Sequence, residues 1–237
     1  MIIKGLQKTT LIDYPGKVAC TIFLFGCNFR CGFCHNPELV LEKNPGLFYT
    51  EEEIISFLEK RKKYLDGVCI TGGEPLVSLR EDFLRKIKEL GFSVKLDTNG
   101  SFPERLQEFI DKNLVDYIAM DIKASRVNYS DVVNPLGKFD IESIEKSIKI
   151  ISDFGNYEFR TTILYKYHDA EEIKKMMEWL KSLVEGRKMK SFYLQGFKNS
   201  GKFVDVSFSS EKNVTEEHLN SLKSVADDYF EKVGVRV

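Results

Sequence analysis

Apolar residues recur along this chain in two alternating rhythms. Short runs rich in Val, Ile and Phe read as strands. They cover residues 18–25, 67–71, 92–97, 115–121, 158–164 and 191–195. Between them lie longer stretches whose apolar positions recur three and four apart, the spacing of a helix packed by one face. These cover residues 51–63, 79–90, 103–111, 141–152, 170–184 and 216–232. Thr50 can cap the first of them, with Glu53 at the capping-box position and Ile54, Ile55, Phe57 and Leu58 on the apolar face. Gly91 ends the second, Pro103 opens the third within its first turn, and Thr215 stands where a cap belongs before residue 216. Residues 233–237 read as a tail or a short edge strand. Residues 42–46 and 125–138 read as loops.

Six strands alternating with helices predict a parallel α/β sheet. Six units are too few for a full eight-stranded barrel at this length. The pattern alone does not separate an incomplete barrel from a flat doubly wound sheet. A chain of 237 residues with no internal repeat fits one domain spanning 1–237. Lys and Arg number 35 against 36 Asp and Glu, a net charge of −1. That balance argues against a generally basic nucleic-acid binder. No run reaches about 18 uninterrupted apolar residues, and Met1-Ile2-Ile3-Lys4-Gly5 opens no long apolar stretch, so neither a membrane span nor a signal peptide is expected.

The chemistry concentrates in Cys27-Asn28-Phe29-Arg30-Cys31-Gly32-Phe33-Cys34. This spacing offers three thiolates. A structural zinc site wants four protein ligands in a closed tetrahedron, and His35, adjacent to Cys34, is awkwardly placed to be the fourth. A disulfide framework fits poorly with five cysteines, an odd count, and no secretory signal. A cubane iron–sulfur cluster normally takes four cysteines, one per iron. Three leave one iron open to another ligand. Free thiols and an oxygen-sensitive cluster fit a reducing cytoplasm. Cys20 and Cys69 sit in apolar strands and read as core.

With His35-Asn36-Pro37 following the last cysteine, the chain resembles the radical S-adenosylmethionine enzymes. Within them it resembles the activating enzymes of glycyl-radical proteins, from about residue 5 to about residue 195. The resemblance implies a curved, incomplete six-unit (β/α)6 TIM-like barrel and a [4Fe–4S] cluster on Cys27, Cys31 and Cys34. It further implies a site for S-adenosylmethionine beside Phe33, Cys34 and His35. One-electron reduction would then cleave the cofactor to methionine and a 5′-deoxyadenosyl radical. The electron donor would be of the flavodoxin or ferredoxin type, and the radical acceptor a glycyl-radical protein. The likeness is greatest to activases of anaerobic ribonucleotide reductase.

Further motifs fall at the C-terminal ends of predicted strands, where parallel α/β folds gather functional groups. Thr71-Gly72-Gly73-Glu74-Pro75 has glycines that permit close backbone approach; Glu74 would answer an ammonium group or hold the loop from behind. By resemblance this stretch meets the amino group of the cofactor. Asp97-Thr98-Asn99-Gly100 reads by itself as a turn. In Asp121-Ile122-Lys123 the two charges share a strand face and need a partner. By resemblance, Asp121, Ile122 and Lys123 lie beside the cofactor, and Asp97, Thr98 and Asp121 hold a monovalent cation. Arg160, inside an apolar strand, pairs with an anion or lies at an edge; the resemblance favours the cofactor carboxylate. Gln195 would approach the adenosine, but Gln195-Gly196-Phe197 lacks a histidine found there in a relative. Residues 11–16, Leu-Ile-Asp-Tyr-Pro-Gly, resemble an activase entry segment. His168 and His218 read as surface residues, and Met176, Met177 and Trp179 as helix packing. Two rival readings remain: a radical enzyme acting on a small molecule, and a non-enzymatic iron–sulfur electron carrier.

Overall fold

The computed structural model describes residues 1–42, 46 and 48–237. The predicted loop 42–46 therefore falls largely outside the described residues. The fold is mixed α/β, and its eight strands follow one another in the sheet as in the chain, β1 to β8. The six predicted strands are present as β2 to β7. Strand β1 has no counterpart among the expected strands, and β8 realises the edge-strand alternative given for residues 233–237, beginning earlier, at Phe230. The chain divides into two compact units.

The first unit comprises Met1–Asn28, Asn36–Thr98 and Glu104–Ile118. Strand β1 (Ile3–Thr10) runs antiparallel to β2 (Ala19–Leu24), pairing Ile3 with Leu24 and Thr10 with Ala19. Its register breaks twice, which explains why no clean alternation marks it in the sequence. Strands β2, β3 (Gly67–Gly72) and β4 (Ser93–Thr98) run parallel, with Cys20 opposite Val68 and Ile70 opposite Leu96. Parallel strands are covered on both faces, hence their continuous apolar runs. Helix α1 (Pro37–Val40) is a single turn. Helix α2 (Glu51–Arg61) has the predicted capping box: Thr50 Oγ1 accepts from Glu53 N at 3.1 Å, and Glu53 accepts from Thr50 N at 2.8 Å. Helices α3 (Glu81–Glu89) and α4 (Pro103–Asp111) bury Phe83, Leu84, Ile87, Leu106 and Phe109. In the entry segment, Tyr14 is buried whereas Leu11 and Ile12 are exposed.

The second unit comprises Phe29–His35, Asn99–Pro103 and Ala119–Val237. The division falls inside β5 (Tyr117–Asp121). Helix α6 (Ile141–Phe154) is capped by Asp140 and stopped by left-handed Gly155, and α7 (Ala170–Leu183) is capped by Asp169. Strands β6 (Tyr157–Ile163), β7 (Met189–Gly196) and β8 (Phe230–Arg236) run parallel. The helix predicted to reach residue 232 ends earlier: α8 is Glu216–Ala226, capped by Thr215 as expected. Residues 230–236 form β8, whose register sets Val233 opposite Phe192. The segment 125–138 is not an open loop. It contains the short helix α5 (Tyr129–Val133), and Tyr129 and Val133 are fully buried.

Candidate functional site

In the first unit the Gly72-Gly73 turn is a close backbone contact. A Cβ on Gly72 would lie 2.2 Å from the Leu24 carbonyl oxygen, and one on Gly73 would lie 2.2 Å from that of Gly26. Gly72 also has φ +128°, which side chains rarely adopt. The turn is tied to the chain entering the cysteine loop: Gly73 N donates to Leu24 O at 2.9 Å and Glu74 N to Gly26 O at 2.7 Å. These glycines therefore set where Cys27 emerges. Glu74 takes the second of its two predicted roles. It is fully buried, accepts from Leu76 N at 3.0 Å, and accepts from Thr98 Oγ1 at 2.9 Å. Its carboxylate holds the loop from behind. Asp97 is paired with Lys95 from the same strand face, so an in-chain ammonium stands on the carboxylate that the resemblance assigns to a monovalent cation.

In the second unit the cysteine loop is clamped from two sides. Arg30 N donates to the carbonyls of Val133 and Asn134, both at 3.0 Å, and Phe29 packs edge-on to Phe139. Opposite, Asp205 N donates to Gly32 O at 3.0 Å and Val204 N to Cys34 O at 3.3 Å. Phe33 is buried between Tyr167 and Phe208. Gly32 lacks a Cβ that would fall 2.5 Å from the Phe208 ring. The Phe33 side chain thus anchors the loop. His35 lies against Phe197 and Phe203 with Nδ1 3.2 Å from Ser200 Oγ. Its outer edge is exposed, yet the rings desolvate it enough to lower its pKa.

Cys31 is buried, and Cys34 N donates to its carbonyl at 3.0 Å. Burial pushes the Cys31 thiol up to about 11, with the nearby Lys123 charge pulling the other way. Lys123 belongs to an ion cluster at the end of β5. Asp121 accepts from Arg160 Nε at 3.0 Å and from Lys123 Nζ at 3.3 Å. Burial alone would raise Asp121; Arg160 and Lys123 outweigh it and hold the carboxyl at about 2. Burial would lower Lys123, but Asp121 and Cys31 keep its pKa well above the ordinary lysine value. The cluster sets two cations against the Asp121 carboxylate, whose side chain remains 32% exposed. Asp121 thus bonds both Lys123 and Arg160. Ile122 is fully buried, its N–H donates to Arg160 O at 2.8 Å, and its carbonyl accepts from Thr161 Oγ1 at 2.6 Å. It spaces the two charges along the strand.

His168 is a correction. It is 1% exposed. Leu164 N donates to its Nδ1 at 3.1 Å, and Nε2 reaches the Lys123 carbonyl at 3.0 Å, so it holds the Asp121–Lys123 turn from below. Tyr129 does so from the side, its hydroxyl donating to the Asp121 carbonyl at 3.3 Å. Neither role carried a sequence signal, since each depends on which loop comes to lie beside the turn.

The Radical SAM superfamily family model matches residues 21–180, more than half of the chain. The chain belongs to the radical S-adenosylmethionine superfamily. A protein of Methanocaldococcus jannaschii provisionally named as a glycyl-radical enzyme activating enzyme is 33% identical over 99% of this chain and 95% of its own. The pyruvate formate-lyase-activating enzyme of Clostridium pasteurianum is 29% identical over 63% of each chain. Among solved structures, Streptococcus suis SuiB matches 92% of the chain with a TM-score of 0.63 and 15% identity, the chain spanning 50% of that protein. QueE from Escherichia coli matches 81% of the chain and 82% of its own, with a TM-score of 0.54 and 16% identity. These structural likenesses concern the fold. Within the superfamily the chain belongs with the glycyl-radical enzyme activating enzymes.

Membership in the superfamily implies a [4Fe–4S] cluster and S-adenosylmethionine. The donor chemistry fits: all five cysteines are free thiols, and the loop carrying three of them is held by main-chain bonds and aromatic cover. Among the described residues no group of three or more His, Cys, Asp or Glu side chains is placed to hold a single metal ion. Thiolates that each bind a different iron of a four-iron cluster need no such convergence.

Proposed function

We propose that this protein installs a glycyl radical on a partner enzyme, taking one Cα hydrogen from a glycine, and that the partner is an anaerobic ribonucleotide reductase. The observation that carries the activase reading is the near full-length likeness to the Methanocaldococcus jannaschii relative, joined to the three-thiol loop ending Cys34-His35-Asn36. When bound, the cluster and S-adenosylmethionine together supply a 5′-deoxyadenosyl radical. Everything else falls to the chain's own groups.

Cys27, Cys31 and Cys34 would hold three irons of the cluster. Arg160 and Lys123, with Asp121 bonded to both, would receive the carboxylate of S-adenosylmethionine, because two of the three charged groups are cations. The main chain at Gly72 and Gly73 would meet the amino group, with Glu74 and Thr98 supporting that turn. Phe33 and His35 would fix the loop beside the adenosine. No side chain is required as a general base. A glycine is a sensible target because its Cα radical is stabilised by the flanking amides and nothing shields the hydrogen. Cysteines stop after Cys69, which supports a single-cluster enzyme acting on a protein loop. The segment 11–16 and the Cys-His-Asn ending support the choice of partner. An electron donor of the flavodoxin or ferredoxin type would supply the reducing electron.

The test is an anaerobic mixture of reconstituted protein, S-adenosylmethionine, reductant and one candidate partner. A doublet glycyl-radical signal by electron paramagnetic resonance is expected with the reductase and not with its glycine-to-alanine variant. A signal only with pyruvate formate-lyase would overturn the choice of partner. Turnover of a small molecule with neither protein giving a signal would overturn the activase reading.

A further inference from the structure

Strand β6 places Glu158 and Arg160 on one face, two residues apart. Glu158 is 2% exposed, and a carboxylate so buried must be paired. Arg160 is a poor partner for it, with Nη1 4.0 Å from Oε1. A close partner comes from β8. Arg236 donates from Nη1 to Oε1 at 2.9 Å and from Nη2 to Oε2 at 2.7 Å. That is a two-pronged, charge-assisted pair using both carboxylate oxygens. Strand β7 lies between β6 and β8, so Arg236 has to cross it. It does so over the Tyr193 ring, with its guanidinium carbon 3.7 Å from the ring centre. Gly234 makes room for this platform: a Cβ there would lie 2.6 Å from the Tyr193 ring.

Arg160 therefore stands between two carboxylates, Asp121 on β5 and Glu158 on its own strand. We propose that Arg236 is a positioning residue that occupies Glu158 and thereby keeps Arg160 turned towards Asp121, where it receives the carboxylate of an amino-acid-bearing ligand. This rests on the role given above to Arg160. Without Arg236, both oxygens of Glu158 compete for Arg160 and draw it down its own strand, away from Asp121. A row of alternating charges results, Lys123, Asp121, Arg160, Glu158 and Arg236. The cation at the β8 end sets the orientation of the one that meets the ligand.

The test measures S-adenosylmethionine binding by calorimetry on reconstituted protein, with iron content and thermal unfolding as controls. Arg160→Ala and Arg236→Ala are each expected to weaken binding about ten-fold, equal to about 1.4 kcal/mol. If Arg236 acts through Arg160, the double variant should bind no more weakly than Arg160→Ala alone. Glu158→Gln in the Arg236→Ala background should restore affinity to within about two-fold, because the competing charge is gone. A merely structural role would give additive losses and no rescue, and either result would overturn the inference. Arg236→Lys, which keeps the charge but not the fork, should give an intermediate loss, and it serves if Arg236→Ala does not fold; wild-type affinity in Arg236→Lys with no binding defect in any folded Arg236 variant would also overturn it. A crystal structure of the Arg236→Ala chain without cofactor should show Arg160 bonded to Glu158. If Arg160→Ala binds normally, the role of Arg160 itself fails. If Arg160→Ala is weakened and Arg236→Ala is not, only the positioning role fails.

Discussion

Two residues show how a single atom decides local structure here. At Gly72 any side chain would enter the backbone of Leu24, so relief requires separating the ends of β2 and β3. Gly72→Ala is expected to cost more than about 4 kcal/mol, the range reserved for forced core rearrangement, and to be read as a large fall in the denaturation midpoint. At His168 the neutral ring is required, because Nδ1 accepts from Leu164 N while Nε2 donates to the Lys123 carbonyl. Burial lowers its pKa against the opposing pulls of that carbonyl and of Glu172. The folded state thus resists protonation, whereas the unfolded chain takes the proton near pH 6.5. Stability from this group is complete above about pH 6.5 and lost as the pH falls below it. His168→Gln should flatten that slope in denaturation experiments between pH 5 and 7 (about the range in which histidine titrates). A slope unchanged by the substitution would assign it to other groups. Asp121, held at about 2, behaves differently. Its contribution is complete above the unfolded value of about 3.9 and is lost only as the pH falls through about 2.

At the scale of elements, the cysteine loop depends on two segments that lie far from it in sequence. One is the stretch around α5, and the other is residues 203–210, which include the 3₁₀ turn Val206–Ser210. Phe208 is buried and touches both Phe33 and Tyr167. Phe208→Ala should cost about 3–5 kcal/mol and leave reconstituted iron content unchanged while the cluster bleaches several-fold faster in air. Equal bleaching rates at equal iron content would show that the aromatic cover does not shield the cluster. Helix α2 supplies a contrast. Thr50→Ala removes one arm of its capping box and should cost about 1 kcal/mol with no change in bleaching.

For the molecule as a whole, the decisive question is which thiols matter. Cys20 is fully buried in the apolar strand β2, outside the Cys27–Cys34 loop. Cys69 is buried in β3 opposite Lys95. Anaerobic reconstitution should give about four irons per chain. Cys27→Ala, Cys31→Ala or Cys34→Ala should each abolish the cluster, and Cys20→Ala and Cys69→Ala should retain it, as read from iron content and visible absorbance. Stoichiometric zinc, with no capacity for iron, would overturn the cluster assignment. Among the described residues no helix is long and apolar enough to cross a membrane.

What the sequence determined by itself is local. Periodicity placed β2 to β7 and most of the helices, because burial on one or both faces leaves a repeat along the chain. Caps at Thr50 and Thr215 and the stop at Gly91 were legible because they act within four residues. The cysteine spacing was legible because three thiols in eight positions have little other use. The tertiary structure decided what depends on partners distant in sequence. Strand β8 was legible only in part, as one alternative for residues 233–237, because its first residues continue the rhythm of α8 and only pairing with β7 makes them a strand. Glu74 could be read as answering an ammonium group or as holding the loop, because a motif does not say which way a side chain turns. His168, Phe208 and Arg236 gain their roles from neighbours 45, 175 and 78 residues away. No local pattern encodes a contact of that separation, since it exists only once the strands between have packed.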